Sequence, residues 1–106
     1  MNILVTGAGG QLGKALRQIS ELSGHRCFFT DVRPEGEVVA LDITDGNAVA
    51  RMLDEYDIDI VVNCAAYTDV ERAETDVENA RRINAFAAGV LAGEVARKNI
   101  SLIHVS

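Results

Sequence analysis

Apolar residues along this chain follow two alternating rhythms. Asn2–Thr6 is a continuous apolar run and reads as a strand buried on both faces. Gln11–Ser20 then places Leu12, Ala15, Leu16 and Ile19 at helical spacing, and Ser23-Gly24 ends that helix. Arg26–Asp31 is a second strand, stopped by the turn residues Arg33-Pro34-Glu35-Gly36, and Val38–Leu41 a short third. Asp45–Tyr56 repeats Ala48, Val49, Met52, Leu53 and Tyr56, the pattern of an amphipathic helix. Asp59–Cys64 is a fourth strand and Ile100–Val105 a fifth. Between them runs the longest helix, about Asp76 to Lys98, with Val77, Ala80, Ile83, Ala87, Val90, Leu91 and Val95 as its apolar side. Thr75 and Glu78, in capping-box spacing, mark its start, and Asn99 is placed to stop it.

Strand–helix alternation with unbroken apolar strands predicts an α/β fold, a doubly wound parallel sheet with right-handed crossovers and strand order 3-2-1-4-5. Ligands of such a sheet bind beyond the carboxyl ends of strands 1 and 4. The first strand runs straight into a glycine-rich turn. From Gly7, G-x-G-x-x-G would need glycine at 12, where Leu12 stands, whereas G-x-x-G-x-x-G fits Gly7, Gly10 and Gly13. Gly7 allows the sharp exit from the strand, Gly10 a close approach of backbone to phosphate, and Gly13 close packing of the new helix. The unpaired N–H groups of that helix's first turn then face an anion.

Composition narrows the function. One domain at most fits 106 residues, and 48% hydrophobic content with a single proline argues for a packed chain. A net charge of −6 argues against nucleic acid as the main partner. No apolar run reaches the roughly 18 residues of a membrane span. Met1 leads directly into a strand, so no removable signal is expected and a cytoplasmic location is. Cys27 and Cys64 sit in apolar segments without metal-ligand spacing and read as buried thiols. No metal site is expected. Because Ser106 ends flush with the fifth strand, the chain is expected to be a piece of a longer protein.

Several side chains could carry chemistry, each against a plainer reading. Asp31, at the end of strand 2, suits the hydroxyls of an adenosine ribose, or is a solvated strand-end acid. Such a carboxylate disfavours a 2′-phosphate, and Arg33 could offset it. Asp42 could accept from an adenine amino group while Ile43 covers the ring; equally, Asp42 is an Asx-type cap before the next helix. Asn63-Cys64-Ala65-Ala66-Tyr67 offers small residues at a strand end, against which a flat ligand or a packed helix could lie. Asn84 falls next to the inward stripe of the long helix, where a buried amide needs partners. Gly89 and Gly93 weaken that helix, and close packing on the sheet is the simplest reason for them. His25 and His104 lie at strand positions with no partner acid in view, which favours structural roles.

Thr6-Gly7-x-x-Gly10-x-x-Gly13, Asp31, Asp42-Ile43, the stretch Asn63 to Glu74, Asn84 and Ile103-His104-Val105-Ser106 together resemble the extended short-chain dehydrogenase/reductases, whose fold is Rossmann-like. Within them the chain is similar to the dTDP-4-dehydrorhamnose reductases, over their amino-terminal part. The resemblance implies that Gly7, Gly10, Gln11, Leu12 and Gly13 hold a pyrophosphate, Asp31 and Arg33 the adenosine ribose, and Asp42 and Ile43 the adenine. It implies that Ala65, Ala66 and Tyr67 line the nicotinamide ribose side, with NADP or NAD as cofactor and a nucleotide sugar as substrate. The reaction implied is reduction of the 4-keto group of a dTDP-linked 6-deoxyhexose. A Tyr-x-x-x-Lys pair does the acid–base work in such enzymes. Here Tyr56 and Tyr67 are followed four residues on by Ile60 and Glu71, so no catalytic residue is expected within this chain and no turnover by it alone. A non-catalytic regulatory subunit, or a nucleotide-sugar epimerase or dehydratase, are the other readings. A bare apolar edge at strand 5 is a route to self-association, and a homodimer fits the resemblance.

Overall fold

The alternation of strands and helices appears as read, with small changes at the ends. The structure, a computed structural model, describes residues 1–64 and 77–105. Its strands are β1 (Asn2–Thr6), β2 (Arg26–Asp31), β3 (Val39–Ala40), β4 (Ile60–Asn63) and β5 (Ser101–His104). Its helices are α1 (Gln11–Ser23), α2 (Gly46–Glu55) and α3 (Val77–Arg97). Every strand pairing is parallel, in the order β3-β2-β1-β4-β5. Adjacent residues point to opposite faces, and the two faces bury different helices. Leu4 and Val61 join Val49 and Leu53 of α2 and Leu91 and Val95 of α3 in one core, while Val5, Ala8, Phe29 and Val38 form a smaller one with Leu16 of α1.

Helix ends follow their residues. Gly24, at φ 74°, closes α1 where Ser23-Gly24 was expected to end it, by supplying the left-handed cap. Asp45 caps α2 by accepting from the Ala48 N–H at 3.2 Å. Asn99, at φ 55°, stops α3, and the Ile100 N–H bonds back to the Val95 carbonyl at 3.0 Å.

Four expectations change. β3 is only Val39–Ala40, because Val38 turns inward (4% exposed) and pairs with Glu35 across the Pro34-Glu35-Gly36 turn. The apolar side predicted for α1 is largely in solvent: Ile19 is 60% and Leu12 42% exposed, and Leu16 alone of the four packs on the smaller core. Gly89 and Gly93 are not packed against the sheet, since a Cβ at either would meet no described atom within 4 Å. Cys27 and Cys64 are free thiols, but half-buried rather than buried. Desolvation raises the pKa of both, opposed at Cys27 by a hydrogen bond from Ser20. The capping box at Thr75, Asn84's side chain and Ser106 lie outside the described residues.

Candidate functional site

The carboxyl ends of β1, β2 and β4 meet around the turn from β1 into α1. Gly7, at φ 70°, turns the chain out of the strand, in a region where a Cβ is strained. The Ala8 N–H donates to the Thr30 carbonyl at 2.9 Å and ties the turn to β2. Gly13 is required by packing, because a Cβ there would lie 2.3–2.5 Å from the Ala8 backbone. Gly10 differs. Its added Cβ would find only the Gly7 carbonyl, at 3.8 Å, so nothing among the described residues fills the space above it.

That space lies at an unfinished helix end. Gly10 is the N-cap of α1, makes no side-chain cap bond, and no acid stands in the first turn. Four N–H groups at a helix start lack intrahelical partners, and they carry the positive end of the dipole. The Gly10 N–H is taken by the Gly7 carbonyl at 3.4 Å, so Gln11, Leu12 and Gly13 present the donors to an anion where Asp, Ser or Thr would ordinarily cap. Gln11 and Leu12 are exposed at that end.

Gly9, which the glycine spacing passes over, proves part of the arrangement. Its N–H donates to Asp31 Oδ2 at 2.8 Å, and a Cβ at Gly9 would lie 2.8 Å from the same oxygen. The Gly9-Gly10 doublet was the only available signal, and its first member answers to the end of β2. Asp31 thus stands beside the turn, where a ribose carboxylate is expected. Arg33, two residues on, is exposed.

Asp42 and Ile43 follow β3, which the Leu41 N–H extends by donating to the Asp31 carbonyl at 2.8 Å. Asp42 Oδ1 accepts from both the Thr44 N–H (2.9 Å) and its hydroxyl (2.6 Å), an Asx-type arrangement. The Thr44 hydroxyl, then its N–H, hold the Asp42 carboxyl below the usual carboxylate range. Ile43 packs half-buried on the larger core.

At the end of β4, Asn63 is 5% exposed and accepts from the Thr6 hydroxyl at 2.6 Å. Its amide nitrogen lies 3.1 Å from His104 Nδ1 on β5. Thr6, Asn63 and His104 are register partners, so one polar row crosses three strands beside the turn. His104 gains here a partner that sequence spacing could not reveal. Ala65, Ala66 and Tyr67, expected on the nicotinamide side, lie outside the described residues.

Known proteins resemble this chain in sequence and in fold. The chain is 39% identical over 110 residues to the probable low-salt glycan biosynthesis reductase Agl14 of Haloferax volcanii, covering 100% of this chain and 37% of that protein. It is 39% identical over 109 residues to the dTDP-4-dehydrorhamnose reductase of Mycolicibacterium smegmatis, covering 98% and 29%. Among solved structures, a dTDP-4-dehydrorhamnose reductase from Clostridium acetobutylicum superposes with a TM-score of 0.78 at 33% identity, covering 96% of this chain and 34% of that one. The chain therefore spans about a third of the length of the curated relatives it matches. The model described as the RmlD substrate binding domain matches residues 1–106, end to end, and to that family the chain belongs.

Proposed function

We propose that these residues form the amino-terminal part of an NAD(P)-binding domain in a sugar-nucleotide reductase. The reaction would be reduction of the 4-keto group of a dTDP-linked 6-deoxyhexose to give dTDP-L-rhamnose. The observation that carries the reading is the start of α1: a cap position without a cap, above a glycine whose missing Cβ nothing else occupies. Relatives named as dTDP-4-dehydrorhamnose reductases support the reaction class.

The donor set fits a dinucleotide. Backbone N–H groups of Gln11, Leu12 and Gly13 would hold the pyrophosphate, with Gly7 and Gly10 giving the turn its shape. Asp31 would accept from the adenosine ribose, with Arg33 beside it, while Asp42 and Ile43 would meet the adenine edge and face. Ala65, Ala66 and Tyr67 would line the nicotinamide ribose. A nicotinamide cofactor supplies hydride when bound. The proton for the nascent alkoxide must come from outside these residues, since no Tyr-x-x-x-Lys occurs among them.

Gly10→Ser tests the reading, because serine caps helices better than glycine by a few tenths of a kcal/mol yet would fill the anion's place. The variant should melt no lower than the parent chain, while NADPH and NADH, titrated by NMR against labelled protein, should perturb Gly7–Gly13 at least tenfold more weakly. Equal binding by both proteins would sink the reading. A longer protein carrying this chain should oxidise NADPH or NADH when given a dTDP-4-keto-6-deoxysugar.

A further inference from the structure

On the other side of β1 from Asp31, the carboxyl ends of β1, β4 and β5 each bring one polar side chain into register: Thr6, Asn63 and His104. Thr6 is 1% and Asn63 5% exposed, so their polar atoms need defined partners. The hydrogen bonds among them have a direction. The Thr6 hydroxyl donates to Asn63 Oδ1 at 2.6 Å. With Oδ1 turned to β1, the amide nitrogen Nδ2 faces His104 Nδ1 at 3.1 Å. An amide nitrogen can only donate, so His104 Nδ1 is the acceptor. A neutral imidazole carries one proton, which this row places on Nε2. The opposite tautomer would set two donors against each other across 3.1 Å. Turning the amide over instead would take away the acceptor that the buried Thr6 hydroxyl uses.

The same residues hold the exit of β4. The Cys64 N–H donates to the Thr6 carbonyl at 2.8 Å, and the Val105 N–H to the Asn63 carbonyl at 3.1 Å. β4 and β5 are only four residues each, so few ladder bonds fix their ends. A side-chain bond at their last register pair, Asn63 with His104, is then a large share of what holds that end. A ligand of such a sheet lies across the carboxyl ends of β1 and β4. A dinucleotide with its adenosine beside Asp31 would therefore extend its other half over the exit of β4.

We propose that His104, as the Nε2–H tautomer, is a positioning residue whose Nδ1 holds the Asn63 amide, and through it the exit of β4 beneath the nicotinamide half of a dinucleotide. The proposal rests on the dinucleotide reading above and deepens it. His104 acts through Asn63 and not on the cofactor. The adenosine half, on β2 and β3, does not depend on it.

The test has two parts, both on the 106-residue chain. Long-range proton–nitrogen NMR in mildly alkaline buffer, where imidazoles are neutral, reads the tautomer, with the His104 signals identified by their loss in His104→Gln. The expected result is a bare Nδ1 and a protonated Nε2; a protonated Nδ1 overturns the proposal. Amide-shift titrations then compare NADH with 5′-AMP for the parent, His104→Gln and His104→Leu. The glutamine oxygen can still accept from Asn63, whereas leucine offers no acceptor. His104→Leu should bind NADH about tenfold more weakly than the parent, and His104→Gln within about threefold of it, as the loss or retention of one net hydrogen bond requires. All three should bind 5′-AMP alike. NADH bound equally by His104→Leu and the parent overturns this proposal and leaves the dinucleotide reading intact. So does a fall in His104→Gln as large as that in His104→Leu, because the acceptor would then not matter. Weakening of 5′-AMP in step with NADH in His104→Leu would mark a general loss of structure, and also overturns it. If neither nucleotide disturbs Gly7–Gly13 of the parent at millimolar concentration, both readings fall together.

Discussion

Gly10 and Gly13 are three residues apart and absent a side chain for opposite reasons. At Gly13 the backbone of Ala8 occupies the position a methyl group would need, at 2.3–2.5 Å. Backbone cannot swing aside as a side-chain tip can, so Gly13→Ala should cost about 1–3 kcal/mol in denaturant unfolding, as overpacked sites do. Gly9 is a milder case, since its neighbour is the mobile end of Asp31. The sequence spacing assigned Gly10 to a phosphate's approach and Gly13 to close packing, but could not name the Ala8 backbone as what Gly13 packs against. Nor could it link Gly9 to Asp31, which are 22 residues apart and meet through strand pairing. Asp42 offers a residue-level test of electrostatics. Its folded carboxyl titrates below its unfolded one because Thr44 donates to the ionised form. That contribution is present above the unfolded value and is lost as pH falls through the folded one. The melting-temperature gap between the parent chain and Asp42→Asn should therefore be widest near neutrality and close in acid.

Among the elements, boundaries were legible wherever a residue dictates them. Asn2–Thr6 and Arg26–Asp31 hold to the residue, because the first apolar run meets Gly7 at its end and the second lies between Gly24 and the Pro34 turn. α2 begins after Asp45, whose carboxylate takes the Ala48 N–H. Asp45→Ala should lower stability by about 1 kcal/mol in chemical denaturation, the usual worth of such a cap. β3 was read too long, since alternation cannot reveal that Val38 leaves the strand to close a turn. The helical periodicity of α1 misled in another way: Leu12, Ala15 and Ile19 share a face, yet that face has little sheet beneath it. The polar row of Thr6, Asn63 and His104 was hidden for a third reason, since it depends on the register of β4 against its neighbours.

For the molecule as a whole, the two sides of the sheet are unequal. Among the described residues, the side carrying α2 and α3 holds eight buried residues in its cluster, against four on the side carrying α1. Strand order and layering were legible because the connections β1–β2, β3–β4 and β4–β5 each run through a helix, while β2–β3 is joined by a turn. The imbalance was not, since it depends on which parts of each helix reach the sheet. Local opening follows buried apolar contact, so amide hydrogen exchange should be fastest in α1, slower in α2, and slowest in β1 and β4. Uniform protection across the three helices would contradict this.

α1 is also the helix that begins without a cap. A segment terminated by a solute rather than by its own chain has a rigidity set by concentration. On the dinucleotide reading, a ligand at about a hundred times its dissociation constant would add roughly 2.7 kcal/mol to folding. Most of that gain would register in a single thirteen-residue element. The protein starved of nucleotide and the protein saturated with it would then share one topology and differ in how long their first helix survives.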